Sequence, residues 1–198
     1  MDLFDSPTTL TPIPVPDGEL SFLAQLELPV PNDEVLARLV AETAWRSDVI
    51  SLWGKQYLQP RLTAWHGEKS YSYSGLKLDP LPFTPLQRQI LAAVETVTQR
   101  QFNSVLLNYY RDGRDSMGMH SDNETELGPE PAIASVSFGA ARTFILQHKR
   151  NKQRLQVALT DGSLLLMAGS LQTNWMHGIN KSARPLGPRV NLTFRFIV

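Results

Sequence analysis

The sequence predicts an α+β protein in which two helices of the N-terminal half brace one face of a β sandwich or jelly roll. Two observations carry this. Apolar residues recur at helical spacing only before Phe102. From Ser104 onward they alternate with polar ones in short runs, broken by turns such as Arg111-Asp112-Gly113 and Asp161-Gly162. Taken in order, residues 1–18 read as a flexible lead, because Pro7, Pro12, Pro14 and Pro16 oppose regular structure. A first helix is expected from Asn32 to about Ala44, capped by Asn32. Asp33 and Glu34 suit its first turn, and Leu36, Leu39, Val40 and Thr43 line its inner face. A second helix starts at Thr84, where Thr84-Pro85-Leu86-Gln87 supplies a capping box with proline at the first helical position. Leu86, Ile90, Val94 and Val97 form its buried stripe. Residues 50–76, between the helices, are aromatic-rich and short-stranded, and strands are expected at 104–110, 132–138, 142–148, 154–159, 163–167 and 189–197.

At 198 residues the chain reads as one domain, residues 19–198, behind the lead. A chain of this size buries roughly 70% of its extended surface and needs no cross-link to hold it together. It has no cysteine, which excludes a disulfide framework, Cys-ligated zinc, iron–sulfur clusters and thiol nucleophiles. Any metal must rest on His, Asp, Glu or main-chain oxygen. No apolar run approaches the ~20 residues of a membrane span, and the acidic, Pro-rich start lacks a secretory pattern. A monomeric intracellular protein with no membrane partner is expected. The absence of a nuclear-type basic tract points to a bacterial cytoplasm. Net charge is zero but unevenly spread: residues 1–48 hold nine acids and two bases, whereas residues 131–198 hold nine bases and only Asp161 as an acid. Such asymmetry suits a basic face turned to a polyanion, or acidic and basic segments that pair with one another.

Strand 189–197 alternates Val190, Leu192, Phe194 and Phe196 with Arg189, Asn191, Thr193 and Arg195. The polar row is either the wet face of a half-solvated strand or a site for a small dicarboxylate, which guanidinium groups grip in bidentate fashion. His120-Ser121-Asp122 places an imidazole and a carboxylate on one side of an extended segment. With His177 it would complete a 2-His-1-carboxylate set. Such a set leaves open positions on Fe(II); zinc takes the same ligands but prefers a compact tetrahedron.

His177 follows His120 by 57 positions, Arg189 comes 12 later and Arg195 closes the strand. This order on a jelly-roll pattern resembles the 2-oxoglutarate/Fe(II) dioxygenases. The finer motifs are Asn108-Tyr109-Tyr110, His120-Ser121-Asp122-Asn123-Glu124, Ile133 to Gly139, Ser163 to Met167 and Pro188 to Arg195. They resemble the AlkB-type oxidative nucleic-acid demethylases, most closely the branch that repairs duplex DNA, over about residues 50–198. The resemblance implies a double-stranded β-helix with a nucleotide-recognition lid at about 50–76 and a jelly-roll core at about 104–198. It implies Fe(II) on His120, Asp122 and His177, with 2-oxoglutarate as cosubstrate on Asn108, Tyr110, Arg189, Asn191, Thr193 and Arg195, and O2 as oxidant. The reaction implied is oxidative demethylation of bases such as 1-methyladenine and 3-methylcytosine, releasing formaldehyde, succinate and CO2.

A methylated base must leave the duplex to reach buried iron, so the lid needs a wedge and aromatic walls. The resemblance assigns Trp53 as the wedge, with Arg61 and Lys55 beside it, and Tyr71 and Tyr73 to the base pocket, where the His177 ring stacks from the other side. Asn123 and Glu124 read the base edge. Two departures stand out: Asn123 where the duplex branch tends to have Asp, and Trp53 in place of a Phe-like wedge. They leave base selectivity and duplex preference open. Arg142 to Arg154, with Lys149, Arg150 and Lys152, reads as a phosphate clamp joined by Lys181 and Arg184, or as a solvated hairpin tip. His66 and His148 read as structural or surface residues. The alternatives are an RNA or single-strand demethylase, an oxygenase acting on a protein or small molecule, and a non-catalytic nucleic-acid binder.

Overall fold

The computed structural model describes residues 9–47, 49–52, 55–69, 71–73 and 76–198, with positions 50–52, 55, 57, 71–73 and 76–78 described by backbone alone. In chain order the first elements are β1 (Thr11–Pro12), β2 (Glu19–Leu23), α1 (Asn32–Glu42), β3 (Val49–Leu52), β4 (Lys55–Leu58) and β5 (Leu62–Gly67). β6 (Tyr71–Tyr73), β7 (Leu76–Leu78), α2 (Pro85–Thr98), β8 (Ser104–Tyr110) and β9 (Met117–His120) follow. The chain closes with β10 (Ile133–Gly139), β11 (Arg142–His148), β12 (Arg154–Leu159), β13 (Leu164–Ala168), the single turn α3 (Leu171–Asn174), β14 (Trp175–Ile179) and β15 (Arg189–Arg195).

The expected jelly roll is present. A seven-stranded antiparallel sheet runs β1-β2-β13-β10-β15-β8-β5, and a four-stranded sheet runs β12-β11-β14-β9. Helices α1 and α2 cover the outer face of the larger sheet, so that Leu39, Ile90 and Val94 pack on Val136, Leu192 and Phe194. A second core lies between the sheets, where Tyr110, Ile133 and Met167 of the larger meet Phe144, Leu146 and Trp175 of the smaller. β3–β4 and β6–β7 form separate hairpins within residues 49–78.

This layering explains the alternation in β15. Both of its faces are buried: Val190, Leu192 and Phe194 point to the helices, and Arg189, Asn191, Thr193 and Arg195 point between the sheets. The half-solvated alternative is therefore excluded. The strand ends at Arg195, two residues earlier than expected, and the alternation shifts there: Phe196 is exposed and Ile197 buried, its backbone held by the Asn103 amide (2.8 Å in each direction).

Four other expectations are corrected. Asn32 does not cap α1; its side chain exchanges hydrogen bonds with Gln25 (3.2 and 3.3 Å), and Pro31 precedes the helix without a side-chain cap. The buried stripe is Val35, Leu39 and Thr43, with Leu36 and Val40 on its flanks. In α2 the capping box forms as expected, but Thr98, which returns its hydroxyl to Val94 O (2.8 Å), replaces Val97 at the inner end. The described part of the lead is anchored rather than loose: β1 pairs with β2 at a sheet edge, where Pro12 is tolerated, and Ile13 and Val15 pack into the inter-sheet core.

Candidate active site between the sheets

β9 and β14 carry two of the three metal-ligand candidates. They pair antiparallel with His120 directly opposite His177, so the imidazoles meet edge to face with centroids 4.4 Å apart. Just beyond, a bulge before Ile179 breaks the register, and Gly178 permits it: a Cβ there would lie 2.8 Å from Met117 O. Asp122 follows β9 by two residues. Its backbone N–H donates to Gln172 Oε1 (3.0 Å), and the intervening Ser121 hydroxyl donates to Trp175 O (2.7 Å), which pins this loop to the segment preceding His177. His120 Nε2 and Asp122 Oδ1 are 3.7 Å apart, and one ligand atom from each of His120, Asp122 and His177 falls within 4.8 Å of the others.

The protonation states suit a cation. His120 Nδ1 lies 2.9 Å from Gly118 O and so carries the proton, leaving Nε2 with its lone pair. Burial, and then the charge of His120, lower His177 to about 3, so it is neutral at physiological pH. Burial alone would raise Asp122; the Arg195 guanidinium, with both imidazoles, overrides this and lowers it to about 2. Arg195 Nη2 holds Asp122 Oδ2 at 2.9 Å, whereas Oδ1 is buried with no hydrogen-bond partner among the described residues. An anionic oxygen left bare in an interior is costly unless a cation meets it. The donor set, two imidazoles and a carboxylate, fits Fe(II) with positions to spare.

Asn108 and Tyr110 of β8, Ser135 of β10 and Arg189, Asn191, Thr193 and Arg195 of β15 line the same cavity. The register sets them side by side, with Asn191 opposite both Asn108 and Ser137, and Arg189 opposite Tyr110. Arg189 is 1% exposed. Its Nη2 donates to Ser137 Oγ (2.9 Å) and its guanidinium lies 5.0 Å from the Tyr110 ring centroid, but Nε and Nη1 have no hydrogen-bond partner among the described residues. Burial lowers its pKa to about 10, so it remains charged near neutrality. Among the described residues no carboxylate pairs with it. A buried cation of this kind calls for an anionic guest, and the planar guanidinium matches a carboxylate. Asn191 gives its amide hydrogens to Ser135 Oγ (2.8 Å) and Val136 O (2.9 Å) and accepts from Thr193 (3.0 Å), so it braces the wall of the cavity.

Ser135 and Ser137 were not among the expected site residues. The two serines had a signal: in Ile133 to Gly139 they are the polar residues, spaced by two in an otherwise apolar strand. Arg61 is a correction. It is 4% exposed and donates from Nε to Asn108 Oδ1 (2.7 Å), which ties it to the cosubstrate cavity and not to a surface wedge. The lid is described less fully. Trp53 lies outside the described residues; Lys55 opens β4, and Tyr71 and Tyr73 stand opposite Leu78 and Leu76 in β6–β7. Asn123 is exposed, and Glu124 is half-buried with Oε2 lacking a partner. One face of His177 carries Phe144 (centroids 5.1 Å, 29° between planes), and the residue is buried, which limits it as a stacking wall.

The basic segment divides. Arg142 is buried and donates to the carbonyls of Asp112, Asp115 and Asn180 (3.4, 2.8 and 2.7 Å), so it cannot serve as a phosphate clamp. Lys149 holds Gln172 O (2.9 Å) and Arg150 pairs with Asp17 (3.0 Å), while Lys152, Lys181 and Arg184 are exposed. His66 and His148 are both buried structural residues, bonded to Pro82 O (2.7 Å) and Asp17 (3.2 Å).

The chain belongs to the 2OG-Fe(II) oxygenase superfamily, whose sequence model matches residues 22–195. Within it the kinship is with the AlkB homologues. The alpha-ketoglutarate-dependent dioxygenase alkB homolog 3 of Mus musculus is 39% identical over 175 residues, covering 83% of this chain and 61% of the relative. The DNA oxidative demethylase ALKBH2 of Homo sapiens is 38% identical over 179 residues, covering 84% of this chain and 69% of the relative. The solved structure of OsALKBH1 shares the fold, with a TM-score of 0.65 at 15% identity over 94% of this chain and 100% of that one. This chain spans about three fifths of the length of the alkB homolog 3 relatives it matches. Among the described residues no helix is long and apolar enough to cross a membrane.

Proposed function

We propose that this protein is an Fe(II)- and 2-oxoglutarate-dependent dioxygenase that oxidatively demethylates alkylated DNA. The observation that carries the reading is one cavity holding both the His120/Asp122/His177 cluster and a buried Arg189 that pairs with no carboxylate among the described residues. His120, Asp122 and His177 hold the iron. Arg189, with Ser137 behind it, takes the distal carboxylate of 2-oxoglutarate, and Asn108, oriented by Arg61, and Tyr110 flank it. Arg195 fixes Asp122 with one oxygen toward the metal and keeps it ionised. Bound Fe(II), with 2-oxoglutarate and O2, supplies the oxidation of an N-methyl group, which leaves as formaldehyde with succinate and CO2 as coproducts. Asp122 and His177 are buried between the sheets and His120 is half-buried, so the target base must leave its stack to approach.

DNA as the substrate is supported by the kinship with ALKBH2, and exposed Lys152, Lys181 and Arg184 offer phosphate contacts. Residues 50–76 act as the recognition lid and residues 19–198 as the dioxygenase domain, in an intracellular and monomeric protein. The test is demethylation of oligonucleotides bearing one 3-methylcytosine, single-stranded and duplex in parallel, with His120→Ala as control. Loss of formaldehyde release in the control supports the reading; a duplex preference that survives Trp53→Ala removes Trp53 as the wedge. Turnover of 2-oxoglutarate that needs His120 but spares every nucleic acid would redirect the function to a protein or small molecule. Product formed only from RNA or single strands would select that alternative.

A further inference from the structure

We propose that Pro16 and Asp17 form a strap that positions the metal-binding residues. The inference rests on the metal reading above and concerns a segment lying ahead of the superfamily match, which begins at residue 22. Four hydrogen bonds converge on these two residues. Trp175 Nε1 donates to Pro16 O (2.9 Å) and Asn174 Nδ2 to Asp17 O (3.2 Å); His148 Nε2 and Arg150 Nη2 both reach Asp17 Oδ2 (3.2 and 3.0 Å). The His148 tautomer is set by its other nitrogen. Nδ1 accepts from the backbone N–H groups of Arg150 and Asn151 (3.2 and 3.3 Å), so Nε2 carries the proton that Asp17 receives.

These contacts lead to the metal cluster by a short route. His148 stands opposite Trp175 in the β11–β14 ladder and meets its indole edge-on (5.0 Å); the next pair on that face is Leu146 with His177. Trp175 and His177, two apart on one strand, project to the same side. The Trp175 carbonyl also accepts the hydroxyl of Ser121, the residue between the other two ligand candidates. Trp175 thus ties the strap to both arms of the cluster. The strap is fitted closely: a Cβ at Gly18 would lie 2.8 Å from Leu171, and Asp17 is held at φ 52, a conformation that costs a non-glycine residue about 1–2 kcal/mol. Contacts must hold it there.

The acceptor at position 17 is the part that can be tested alone. Asp17→Asn and Asp17→Gly both tolerate φ 52, but only asparagine keeps an oxygen for His148. Co(II), a redox-stable stand-in for Fe(II), is titrated into the full-length chain by its visible absorption, well below the unfolding midpoint. Thr84→Ala, which removes a cap on the far side of the larger sheet, serves as a destabilised control. The strap account expects Asp17→Gly to weaken Co(II) binding by about tenfold, the lower end for residues that act through ligands. Asp17→Asn and Thr84→Ala stay near the parent. It is overturned if Asp17→Gly binds Co(II) as the parent does, if Asp17→Asn is as weak as Asp17→Gly, or if Thr84→Ala weakens binding equally. A parent chain that binds no Co(II) at all would instead overturn the metal reading, and the strap's role with it.

Discussion

Replacing Arg189 with methionine should leave the unliganded protein at least as stable as before while destroying its response to 2-oxoglutarate. The guanidinium is buried and its pKa is lowered from 12.5 to about 10, so its charge is held at a cost of about 3 kcal/mol. Against this stand the hydrogen bond to Ser137 and the stacking on Tyr110, together about 2 kcal/mol. Methionine fills a similar volume and removes both sides of that balance. The difference, about 1 kcal/mol in favour of the variant, is a rise of about 2–4 °C in Tm for a domain of this size. Binding goes the other way. Nε and Nη1, without partners, can each give a charge-assisted hydrogen bond of about 1.5–3 kcal/mol to a carboxylate, so their loss weakens 2-oxoglutarate by about 10²-fold or more. Thermal melts of the Mn(II)-loaded chain, with and without 2-oxoglutarate, read both effects. A variant that melts several degrees lower, or that still gains stability from 2-oxoglutarate, would refute the assignment of Arg189 as an unsatisfied cation awaiting the cosubstrate.

Arg61→Met should strand Asn108 Oδ1 in the interior, costing about 1–3 kcal/mol of stability, and raise the KM for 2-oxoglutarate by about tenfold with kcat less affected; an unchanged KM would return Arg61 to a purely structural role. The metal-free chain should lose stability on acidification from pH 7 to 5. Burial lowers the pKa of His66 from 6.5 and that of His177 to about 3, so the unfolded chain binds more protons throughout this window, at up to about 1.4 kcal/mol per pH unit for each histidine. His66→Asn keeps a donor for Pro82 O and should flatten one histidine's share of that slope in urea titrations at several pH values. A slope identical to the parent's would contradict a buried His66 whose pKa is lowered by burial. Lys181→Ala should weaken DNA binding across all sequences and shallow its dependence on log salt by about one unit, and an unchanged slope would remove Lys181 from the phosphate contacts.

The legible parts of the fold were those where one face differs chemically from the other. The α2 capping box, the Asp/Gly turns and the alternation in β11 and β12 are of this kind, and these strands formed where the pattern placed them. β15 shows the limit. Its pattern was plain, yet alternation cannot tell water from a polar cavity, and only the second sheet decides that Arg189 and Arg195 face inward. β9 and β14 escaped because each is short, contains a glycine and is interrupted by a bulge, although they carry His120 and His177. The ligand candidates were found by their spacing instead. Asn32 was misread because helix-cap logic is local, whereas Gln25 took its hydrogen bond; Arg61 was placed beside the wedge by resemblance, and its bond to Asn108 is a tertiary contact that no local pattern shows. The lead was misjudged because prolines that stop a helix do not stop an edge strand or a strap.

The central claim is that the His120/Asp122/His177 cluster and Arg189 together hold Fe(II) and 2-oxoglutarate. It is tested most directly by anaerobic addition of Fe(II) and then 2-oxoglutarate, following the visible charge-transfer absorption of Fe(II) chelated by a 2-oxo acid. The account predicts a band that saturates at one iron per chain, is absent in Asp122→Ala and needs about a hundredfold more 2-oxoglutarate in Arg189→Met. A chain that develops no band, or an Asp122→Ala variant that develops the parent's, would contradict it.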